Sequence, residues 1–470
     1  MSGAGRRRAI VACVALALLC PAGARAARPL EQGFFDGAFM GPNAGAWLKR
    51  SADAGADAVR IEIGWVAPDT ASRPAGFDAR NPADPAYDFS RADAAIRQAS
   101  DDGLRVIASF TGAPRWAEGP GRPDDAPPGS WRPDPHALED YGVALARRYS
   151  GSFPDPARPG RRLPRVAAFQ LWNEPNLSKY LTPQWSGFRS ASPTLYRRML
   201  NAFYRGVKSI DPRALVVTAG TAPFGDPQPG GLRIMPARFV HDLLCLRGAA
   251  GRLRSAGCRD PAHFDVLAHH PYSVGSPDTA ALNPDDVSIP DVGKLTYLLR
   301  AAERTGGALP RIHHATWVTE VGYNTKPPNP YGVPVAVDAR WMTQALEILW
   351  SQGVDLICWN TIVDQPPVPS YSLTSQSGVY FLDGRPKPTL QAFRFPFVAS
   401  RAGGSAVQIW GRSPAAGRLV IERRAGARWK TAFTLDVTAR STFLARIRLT
   451  GRVRLRARIG RETSLAWPVT

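Results

Sequence analysis

Eight short apolar runs alternate with segments of helical periodicity between residues 33 and 365, and this alternation restricts the possible folds more than any other feature. Each run is nearly continuous rather than alternating, which is typical of strands buried on both faces of a parallel sheet. Several helical segments end on glycine just before the next run, as helix C-termini commonly do. The runs are residues 33–40, 56–65, 103–110, 166–174, 214–221, 264–272, 316–323 and 355–363.

Eight strand–helix units predict a (β/α)8 barrel. The units extend from residue 33 to 363, which is longer than the roughly 250 residues that such a barrel ordinarily needs, so we expect insertions. An open doubly wound sheet is the alternative, but no glycine-rich phosphate-binding motif follows an early run, which weakens it. Long loops rich in proline and glycine follow several of the runs. Because loops that follow the strands of a barrel meet at its C-terminal face, we expect a functional site there.

The pattern changes near residues 394–401, where the apolar period switches to two. About five short alternating segments follow, which is typical of antiparallel strands. We therefore predict an α/β fold with a TIM barrel over residues 27–397 and a small antiparallel, β-sandwich-like accessory domain over residues 398–470.

The first 26 residues have the layout of a secretory signal peptide. Arg6–Arg8 precede an apolar stretch over residues 9–20, and residues 24–26 fit a small-x-small cleavage site. The apolar stretch has 12 residues, short of the ~20 that a membrane-spanning helix needs. We therefore expect a secreted protein, extracellular or in the cell envelope, that is cleaved after about Ala26.

The cysteines left after that cleavage divide into two groups. Cys245 and Cys258 flank a loop-like insert, so in an oxidising location they are candidates for a disulfide. Cys358 lies within an apolar run, and we expect it to be a buried thiol.

The positive charge is concentrated at the C-terminus. The whole chain has a formal net charge of +20, and residues 401–470 hold 15 Lys and Arg against three Asp and Glu. This domain could contact an anionic surface, although arginines that alternate with apolar residues over 452–459 equally indicate a half-buried strand with a basic face. No aromatic residues alternate with these arginines to stack bases, so we expect no nucleic-acid partner.

Two carboxylates stand at the ends of the fourth and seventh predicted strands, Glu174 in WNEPN and Glu320 in VTEVGY. The fourth and seventh strands lie on opposite sides of an eight-stranded barrel, so these side chains can face each other across its mouth. Paired carboxylates over a cleft are what cleavage of a glycosidic bond uses. A helix cap and a core ion pair are the alternative roles, but both carboxylates at strand ends favour a catalytic pair.

These residues resemble clan A of the glycoside hydrolases over roughly residues 33–395, with a likeness to families 5 and 39 and their cellulase- and xylosidase-like barrels. The resemblance implies that Glu174 is the general acid/base and Glu320 the nucleophile of a retaining mechanism on a β-linked glycan or glycoside. It implies that Asn173 binds the sugar 2-hydroxyl, and it implies no metal or organic cofactor. The segment FTGAPRW lacks the histidine of many family 5 members and is closer to family 39.

The same resemblance assigns four further substrate-site residues. His270 and Tyr272 match a His-x-Tyr pattern whose tyrosine hydrogen-bonds the nucleophile, and Arg60 matches an arginine that keeps the nucleophile ionised. Arg60 could instead pair with Glu62 on the same strand face. Trp359 matches a tryptophan that ends the eighth strand and forms the floor of the sugar site.

Other aromatic and histidine side chains leave two interpretations open. Trp65 and Trp116, on loops after strands, are either sugar platforms or loop-packing residues. No spaced carboxylate completes a metal site around the paired histidines, and we expect His269 to pack in the barrel wall.

One local requirement concerns the fourth strand. Adjacent strand residues face opposite sides, so Asn173 and Glu174 can both reach the mouth only if the chain bends there. Pro175 is the residue that we expect to enforce the bend.

The sequence therefore predicts a monomeric glycoside hydrolase that acts on an oligo- or polysaccharide. Two alternatives stay open at this point. One is a carbohydrate-binding or wall-associated protein without hydrolytic activity, and the other is a transglycosylase on the same barrel.

Overall fold

The computed structural model describes residues 25–470, and residues 1–24, with most of the predicted signal peptide, lie outside the described residues. The predicted barrel is confirmed. Eight parallel strands form a closed ring in which each strand pairs with the next along the chain and the last pairs with the first. This closure excludes the open doubly wound sheet.

Strands and helices alternate eight times around the ring. The strands β1–β8 are Glu31–Phe35, Ala58–Glu62, Arg105–Phe110, Ala168–Leu171, Leu215–Val217, Val266–His269, Ala315–Val321 and Leu356–Asn360. The helices α1–α8 are Ala44–Asp53, Ser90–Asp101, Pro135–Arg148, Ser192–Ile210, Pro236–Leu243, Gly293–Thr305, Val335–Ser351 and Pro388–Arg394.

Alternate residues of each strand enter two separate apolar layers. Ala58 and Ile107 belong to a small cluster inside the ring, whereas Val59 and Ile61 join the large core between strands and helices. This alternation follows from the pleat of a strand. It decides which side chains can reach the barrel mouth.

The C-terminal residues form two antiparallel sheets, as predicted. Of the seven strands of three or more residues, five match the predicted segments and the first and last do not; a further two-residue strand, Glu462–Thr463, also belongs to these sheets. The strands β9–β15 are Phe397–Arg401, Ala406–Arg412, Gly417–Ala425, Arg428–Val437, Thr442–Arg448, Val453–Ile459 and Trp467–Val469. One sheet orders β9, β10 and β13, with residues Arg25–Ala26 added at its edge, and the other orders β12, β11 and β14, with β15 beside β14.

Arg412 attaches this domain to the N-terminal end of the barrel. Its guanidinium donates to the Leu30 carbonyl (3.1 Å), to Gln32 Oε1 (3.0 Å) and to the Asp57 carboxylate (2.5 Å). Leu30 and Asp57 directly precede β1 and β2, so the domain lies opposite the face where we expect the site.

The disulfide and the buried thiol expected from the sequence are both present in the structure. A disulfide joins Cys245 to Cys258, whose Cα atoms are 5.8 Å apart, and Cys358 is buried as a free thiol. Within residues 25–470, no helix combines the length and the apolar character that crossing a bilayer requires.

Candidate active site

The fourth strand leaves its regular path where the site begins. β4 ends at Leu171, and the next residue, Trp172, has a φ of 74°, while Glu174 has a φ of 38°. Two non-glycine residues in the left-handed region turn the backbone sharply, so Asn173 and Glu174 both reach the mouth. We expected Pro175 to enforce this bend. In the structure Trp172 and Glu174, on either side of Asn173, make the bend instead.

A bulge in the seventh strand has the same effect on Glu320. The pairing of β7 with β8 shifts register between Val318 and Val321, where β7 carries one residue more than its partner. A bulge lets neighbouring residues of one strand point to the same side. Thr319 and Glu320 consequently both contact His270, with Thr319 Oγ1 3.0 Å and Glu320 Oε1 3.7 Å from Nε2.

Glu320 is held by two donors, one on β2 and one on the loop that follows β6. Arg60 Nη1 donates to Oε1 over 2.5 Å, and the Tyr272 hydroxyl donates to Oε2 over 3.1 Å. The Tyr272 hydroxyl accepts in turn from Asn360 Nδ2 over 2.6 Å. The carboxylate side chain keeps 12% of its surface exposed, so it is fixed in orientation while still open to the mouth.

Glu174 lies on the other side of the same imidazole. Its Oε1 is 3.1 Å from His270 Nδ1, and its side chain is 15% exposed. The two carboxylates thus flank one buried ring, each at the barrel mouth. Gly220 lets the ring lie there, because a Cβ at this position would stand 2.1 Å from His270 Nε2.

The electrostatics of the site favour an ionised Glu320. Burial alone would raise the pKa of Glu320, but the charges of His270 and Arg60 and the hydrogen bonds from Arg60 and Tyr272 outweigh burial, and the net pKa is below its ordinary 4.5. Burial raises the pKa of the neighbouring Glu62 despite the charge of Arg60. Burial and the charge of Glu320 raise the pKa of Tyr272 well above 10, so its hydroxyl remains a donor.

Arg60 and His270 lie behind the two carboxylates at the barrel mouth. Both residues have 0% exposure. Arg60 also donates to Asn173 Oδ1 (3.2 Å) and lies 3.6 Å from Glu62, so both pairings considered from the sequence are present. These two side chains can act on a substrate only through the groups they hold.

Trp359 does not form the floor of a sugar site, and this prediction is corrected. Its side chain is 1% exposed, joins the core between strands and helices, and donates its indole N–H to the Ser377 carbonyl. The next residue, Asn360, faces the mouth and contacts Tyr272. The pleat of β8 therefore places the polar residue, and not the tryptophan, in the site.

The two remaining tryptophans differ in exposure. Trp65 is 8% exposed and stacks on Tyr141 with ring centroids 5.2 Å apart, which fits the packing interpretation. Its edge borders a cavity of about 490 Å³ between the loops after β2 and β3. Trp116 is half-buried and borders a second cavity of about 710 Å³, so part of its ring stays open to a ligand.

The histidine arrangement does not build a metal site in the part of the chain that the structure describes, where no three potential ligand side chains cluster. His269 lies in the barrel wall, as expected, with Nδ1 2.8 Å from Thr221 Oγ1 and Nε2 2.9 Å from the Val287 carbonyl. Burial lowers the pKa of His269 to about 3.

Four residues of the site are not among those predicted from the sequence: Ser109, Gly220, Thr319 and Asn360. Each lies within an apolar run, where a polar residue or a glycine is unexpected and therefore indicates a functional position. Ser109, for example, accepts from Arg60 Nε (3.2 Å) and donates to Glu62 (2.8 Å). An inward-facing polar residue near a strand end would have identified it.

Comparison with known proteins gives a likeness of fold. No family model matches the chain, and no curated protein matches its sequence. A family 39 glycoside hydrolase from Bacteroides cellulosilyticus WH2 has a similar structure, with a TM-score of 0.54 and 17% identity over 89% of this chain and 81% of that chain. A glucosidase from Croceicoccus marinus superimposes with a TM-score of 0.50 and 14% identity over 91% of this chain and 98% of that one. These likenesses confirm the fold that the clan A resemblance implies.

Proposed function

We propose that this chain is a retaining glycoside hydrolase, exported from the cell, that cleaves the O-glycosidic bonds of a β-linked glycan or glycoside. The observation that carries the proposal is the pair of carboxylates, Glu174 and Glu320, on either side of His270 at the barrel mouth. Cleavage of an acetal needs one group that gives a proton and one that stabilises the sugar carbon. The different environments of the two carboxylates support that division of labour.

In the first half of the reaction, Glu320 attacks the anomeric carbon. The bond to the leaving oxygen breaks as Glu174 transfers its proton to that oxygen. Arg60 and Tyr272 support an ionised nucleophile, because both donate to the Glu320 carboxylate. The products of this step are the free aglycone and a glycosyl ester on Glu320.

In the second half, water replaces the aglycone. Glu174, now ionised, takes a proton from the water as its oxygen attacks the anomeric carbon, and the ester bond to Glu320 breaks. Glu174 regains its proton and Glu320 its charge, so the enzyme is restored. Two inversions leave the configuration of the sugar unchanged.

Asn173 is suited to the contact with the sugar 2-hydroxyl. Its Oδ1 faces Arg60 Nη2 at 3.2 Å, which leaves the Nδ2 amide hydrogens as the donors available to a ligand. Such a contact contributes most if it shortens as the ring flattens in the transition state. The substrate partner is an oligo- or polysaccharide or a simpler glycoside.

The basic C-terminal domain is a further part of the proposal. Arg456 and Arg458 share Glu422 on β11, and both Arg456 and Arg424 lie against the ring of Trp429. This guanidinium-rich sheet face would contact an anionic surface, with binding that weakens as salt rises. Retention of the protein on an anionic matrix over a salt gradient measures this contact.

Two variants and one matched control test the catalytic pair. On an aryl β-glycoside, we expect Glu320→Gln to abolish turnover, and Glu174→Ala to keep slow turnover because an activated leaving group needs no proton. Glu139→Gln, which changes a carboxylate on the outer helix α3 that pairs with Arg205, should keep the wild-type rate. If both site variants retain wild-type rates, the proposal is wrong.

Analysis of the products separates the alternatives. The proposed mechanism gives a first-formed sugar with the configuration of the substrate, visible by NMR. The opposite configuration contradicts double displacement. Transfer of the sugar to an added acceptor, in preference to water, identifies a transglycosylase, and glycan binding without turnover identifies a binding protein.

A further inference from the structure

A third carboxylate, Glu62, stands at the barrel mouth and has no part in the proposed double displacement. It is the last residue of β2, two residues after Arg60, so the two side chains leave the same face of the strand. The side chain of Glu62 is 29% exposed, whereas those of Glu174 and Glu320 are 15% and 12% exposed. A ligand that reaches the other two carboxylates can therefore contact Glu62 as well.

Arg60 sets the separation between Glu62 and Glu320. Its Nη1 donates to Glu320 Oε1 over 2.5 Å, and its Nη2 lies 3.6 Å from Glu62 Oε2. Both nitrogens belong to one rigid, planar guanidinium, so the two carboxylates stand about one sugar ring apart. A sugar whose anomeric carbon meets Glu320 therefore lies within reach of Glu62.

The hydrogen-bonding capacity of Glu62 is only partly used. The distance of 3.6 Å to Arg60 is too long for a hydrogen bond, and the Ser109 hydroxyl is the donor to Glu62 Oε2, over 2.8 Å. The buried Oε1 has no hydrogen-bond partner within residues 25–470, whereas each oxygen of Glu320 has a donor. Because the terminal torsion of a glutamate is soft, either oxygen of Glu62 can turn to a donor in the mouth.

Open space adjoins Glu62 on the side away from Glu320. The bond between Glu62 and Ser109 joins the ends of β2 and β3, and the loops after these strands enclose the cavity of about 490 Å³. Trp65, three residues after Glu62, and Thr111, two residues after Ser109, both border this cavity. Ligand pockets ordinarily measure roughly 300–1,000 Å³, so there is room for a sugar beside Glu62.

The neighbour of Glu62 indicates which sugar hydroxyl it meets. Asn173 Oδ1 and Glu62 Oε2 both face Arg60 Nη2, at 3.2 and 3.6 Å. Two side chains beside one nitrogen are expected to contact adjacent substituents of a sugar ring. Asn173 is suited to the 2-hydroxyl, and the ring neighbours of C2 are the reacting anomeric carbon and C3. The 3-hydroxyl is therefore the group that faces Glu62.

We propose, on the basis of the glycosidase function proposed above, that Glu62 accepts a hydrogen bond from the 3-hydroxyl of the sugar whose anomeric carbon Glu320 attacks. Glu62 is then a specificity-determining residue, because a sugar without a donor at C3 leaves this carboxylate unpartnered in the closed site. A carboxylate that only held Arg60 in place would affect every sugar equally.

A comparison of substrate analogues tests this contact. Aryl β-glycosides of glucose, galactose, mannose and xylose first identify the sugar that the wild type hydrolyses best, and the 3-deoxy and 4-deoxy analogues of that glycoside follow. We expect the wild type to lose roughly 30-fold in kcat/KM on the 3-deoxy analogue, as for a hydrogen bond to a charged group. Glu62→Ala should lose a similar factor on the parent glycoside and match the wild type on the 3-deoxy analogue.

Two further variants complete the design. Glu62→Gln keeps an acceptor oxygen without the charge, so it should recover part of the loss of Glu62→Ala on the parent glycoside. Glu139→Gln, on the outer helix α3, is the control and should match the wild type on all three substrates. Melting temperatures of the variants show whether a loss of activity comes from unfolding.

Three results would overturn the proposal. If Glu62→Ala loses the same factor on the parent, 3-deoxy and 4-deoxy glycosides, Glu62 makes no contact with the 3-hydroxyl. If that uniform loss accompanies a shift of the acidic limb of kcat/KM, Glu62 acts through Arg60 on the nucleophile. If the loss disappears on the 4-deoxy analogue instead, the assigned hydroxyl is wrong.

Failure of this contact and failure of the glycosidase function are distinguishable. Hydrolysis with any of those three results would contradict the role of Glu62 and leave the glycosidase proposal intact. If the wild type hydrolyses none of the glycosides, the glycosidase proposal is wrong, and titration calorimetry makes the same comparison on binding. Binding that Glu62→Ala weakens for the parent but not for the 3-deoxy analogue would still support the contact, and absence of binding would contradict it.

Discussion

At the scale of single residues, the site depends on positions that leave regular backbone geometry. Trp172 and Glu174 have positive φ values, a conformation that costs of order 1–3 kcal/mol for a non-glycine residue. Asn176 helps to hold this turn, since its Nδ2 donates to the Ala222 and Ile234 carbonyls and its Oδ1 accepts from the Ala222 amide. The last residue of WNEPN therefore fixes the loop that presents Glu174.

The Tyr272 hydroxyl should influence the pH dependence of activity. The proposed nucleophile Glu320 must be ionised, and its pKa lies below 4.5 because the charges of His270 and Arg60 and the hydrogen bonds from Arg60 and Tyr272 outweigh burial, which raises it. Tyr272→Phe removes one of those donors, so the pKa of Glu320 should rise. We expect the acidic limb of the kcat/KM profile to move to higher pH, and the maximum to fall by roughly tenfold.

An unchanged acidic limb in the Tyr272→Phe variant would show that the hydroxyl does not act on Glu320. A uniform loss of kcat/KM at every pH would indicate a role in substrate positioning instead. The wild-type profile under the same buffers is the reference.

Gly220 should be required for the position of His270. Gly220→Ala places a Cβ 2.1 Å from His270 Nε2, so the imidazole must move away from both carboxylates. We expect kcat/KM to fall by roughly 100-fold, since a displacement of about 1 Å has this effect in active sites. Gly37→Ala is the control, because no atom lies within 4 Å of its added Cβ. Equal activity of both variants would contradict the placement of the ring.

At the scale of elements, the sequence predicts where strands lie better than it predicts which way their side chains face. Each of the eight apolar runs overlaps a barrel strand, and six of them contain the whole strand, because continuous apolar character is what a strand buried on both faces requires. The family resemblance places Trp359 in the site, but the structure places Asn360 there, one residue along the strand. Because neighbouring residues of a strand face opposite layers, an error of one residue assigns a side chain to the wrong face of the strand.

The two carboxylates at the mouth show why some of the site could not be predicted. Glu320 reaches the mouth through a bulge and Glu174 through two left-handed residues, and neither irregularity has a clear signature in an apolar run. Their roles came from the family resemblance, which had no need of the local geometry. The polar network of Ser109, Thr319 and Asn360 depends on contacts between strands distant in sequence.

The disulfide should stabilise the hairpin that follows α5. Cys245 and Cys258 are 13 residues apart and enclose the short strands Leu246–Arg247 and Arg254–Ser255. Replacing both cysteines by alanine should lower the free energy of unfolding by about 3 kcal/mol, measured by urea denaturation. Activity should be unchanged, because α5 ends at the barrel face opposite the mouth. Reductant should destabilise the wild type and leave the double variant unaffected.

At the scale of the whole molecule, a buried arginine helps to join the second domain to the barrel, beside other contacts such as the ion pair of Arg394 with Glu462. Arg412 is 2% exposed and donates to the Leu30 carbonyl, to Gln32 and to the Asp57 carboxylate. Burial lowers the pKa of Arg412, although the charge of Asp57 opposes that effect. Such a pair contributes orientation as well as energy, because several acceptors fix the planar guanidinium.

Removing this arginine should destabilise the protein strongly. Arg412→Ala leaves the Asp57 carboxylate and the Leu30 carbonyl beneath the domain without this donor, and we expect a loss of about 3–5 kcal/mol in the free energy of unfolding. Arg440→Ala is the matched control. It also pairs with Asp57, at 3.3 Å, but its side chain is 47% exposed, so the loss should stay below about 1 kcal/mol. Equal losses in urea denaturation would contradict the special role of Arg412.

The basic domain is attached at the N-terminal end of the barrel, and this attachment determines how the protein would be oriented on a surface that the domain binds. Arg412 fixes the arginine-rich sheets at one extremity, while Glu174 and Glu320 open at the other. If the basic domain binds a surface, the barrel mouth stays unobstructed and faces away from that surface. Under the proposed function, a protein oriented in this way would be held by one surface while its site faces glycans on the side opposite to that surface.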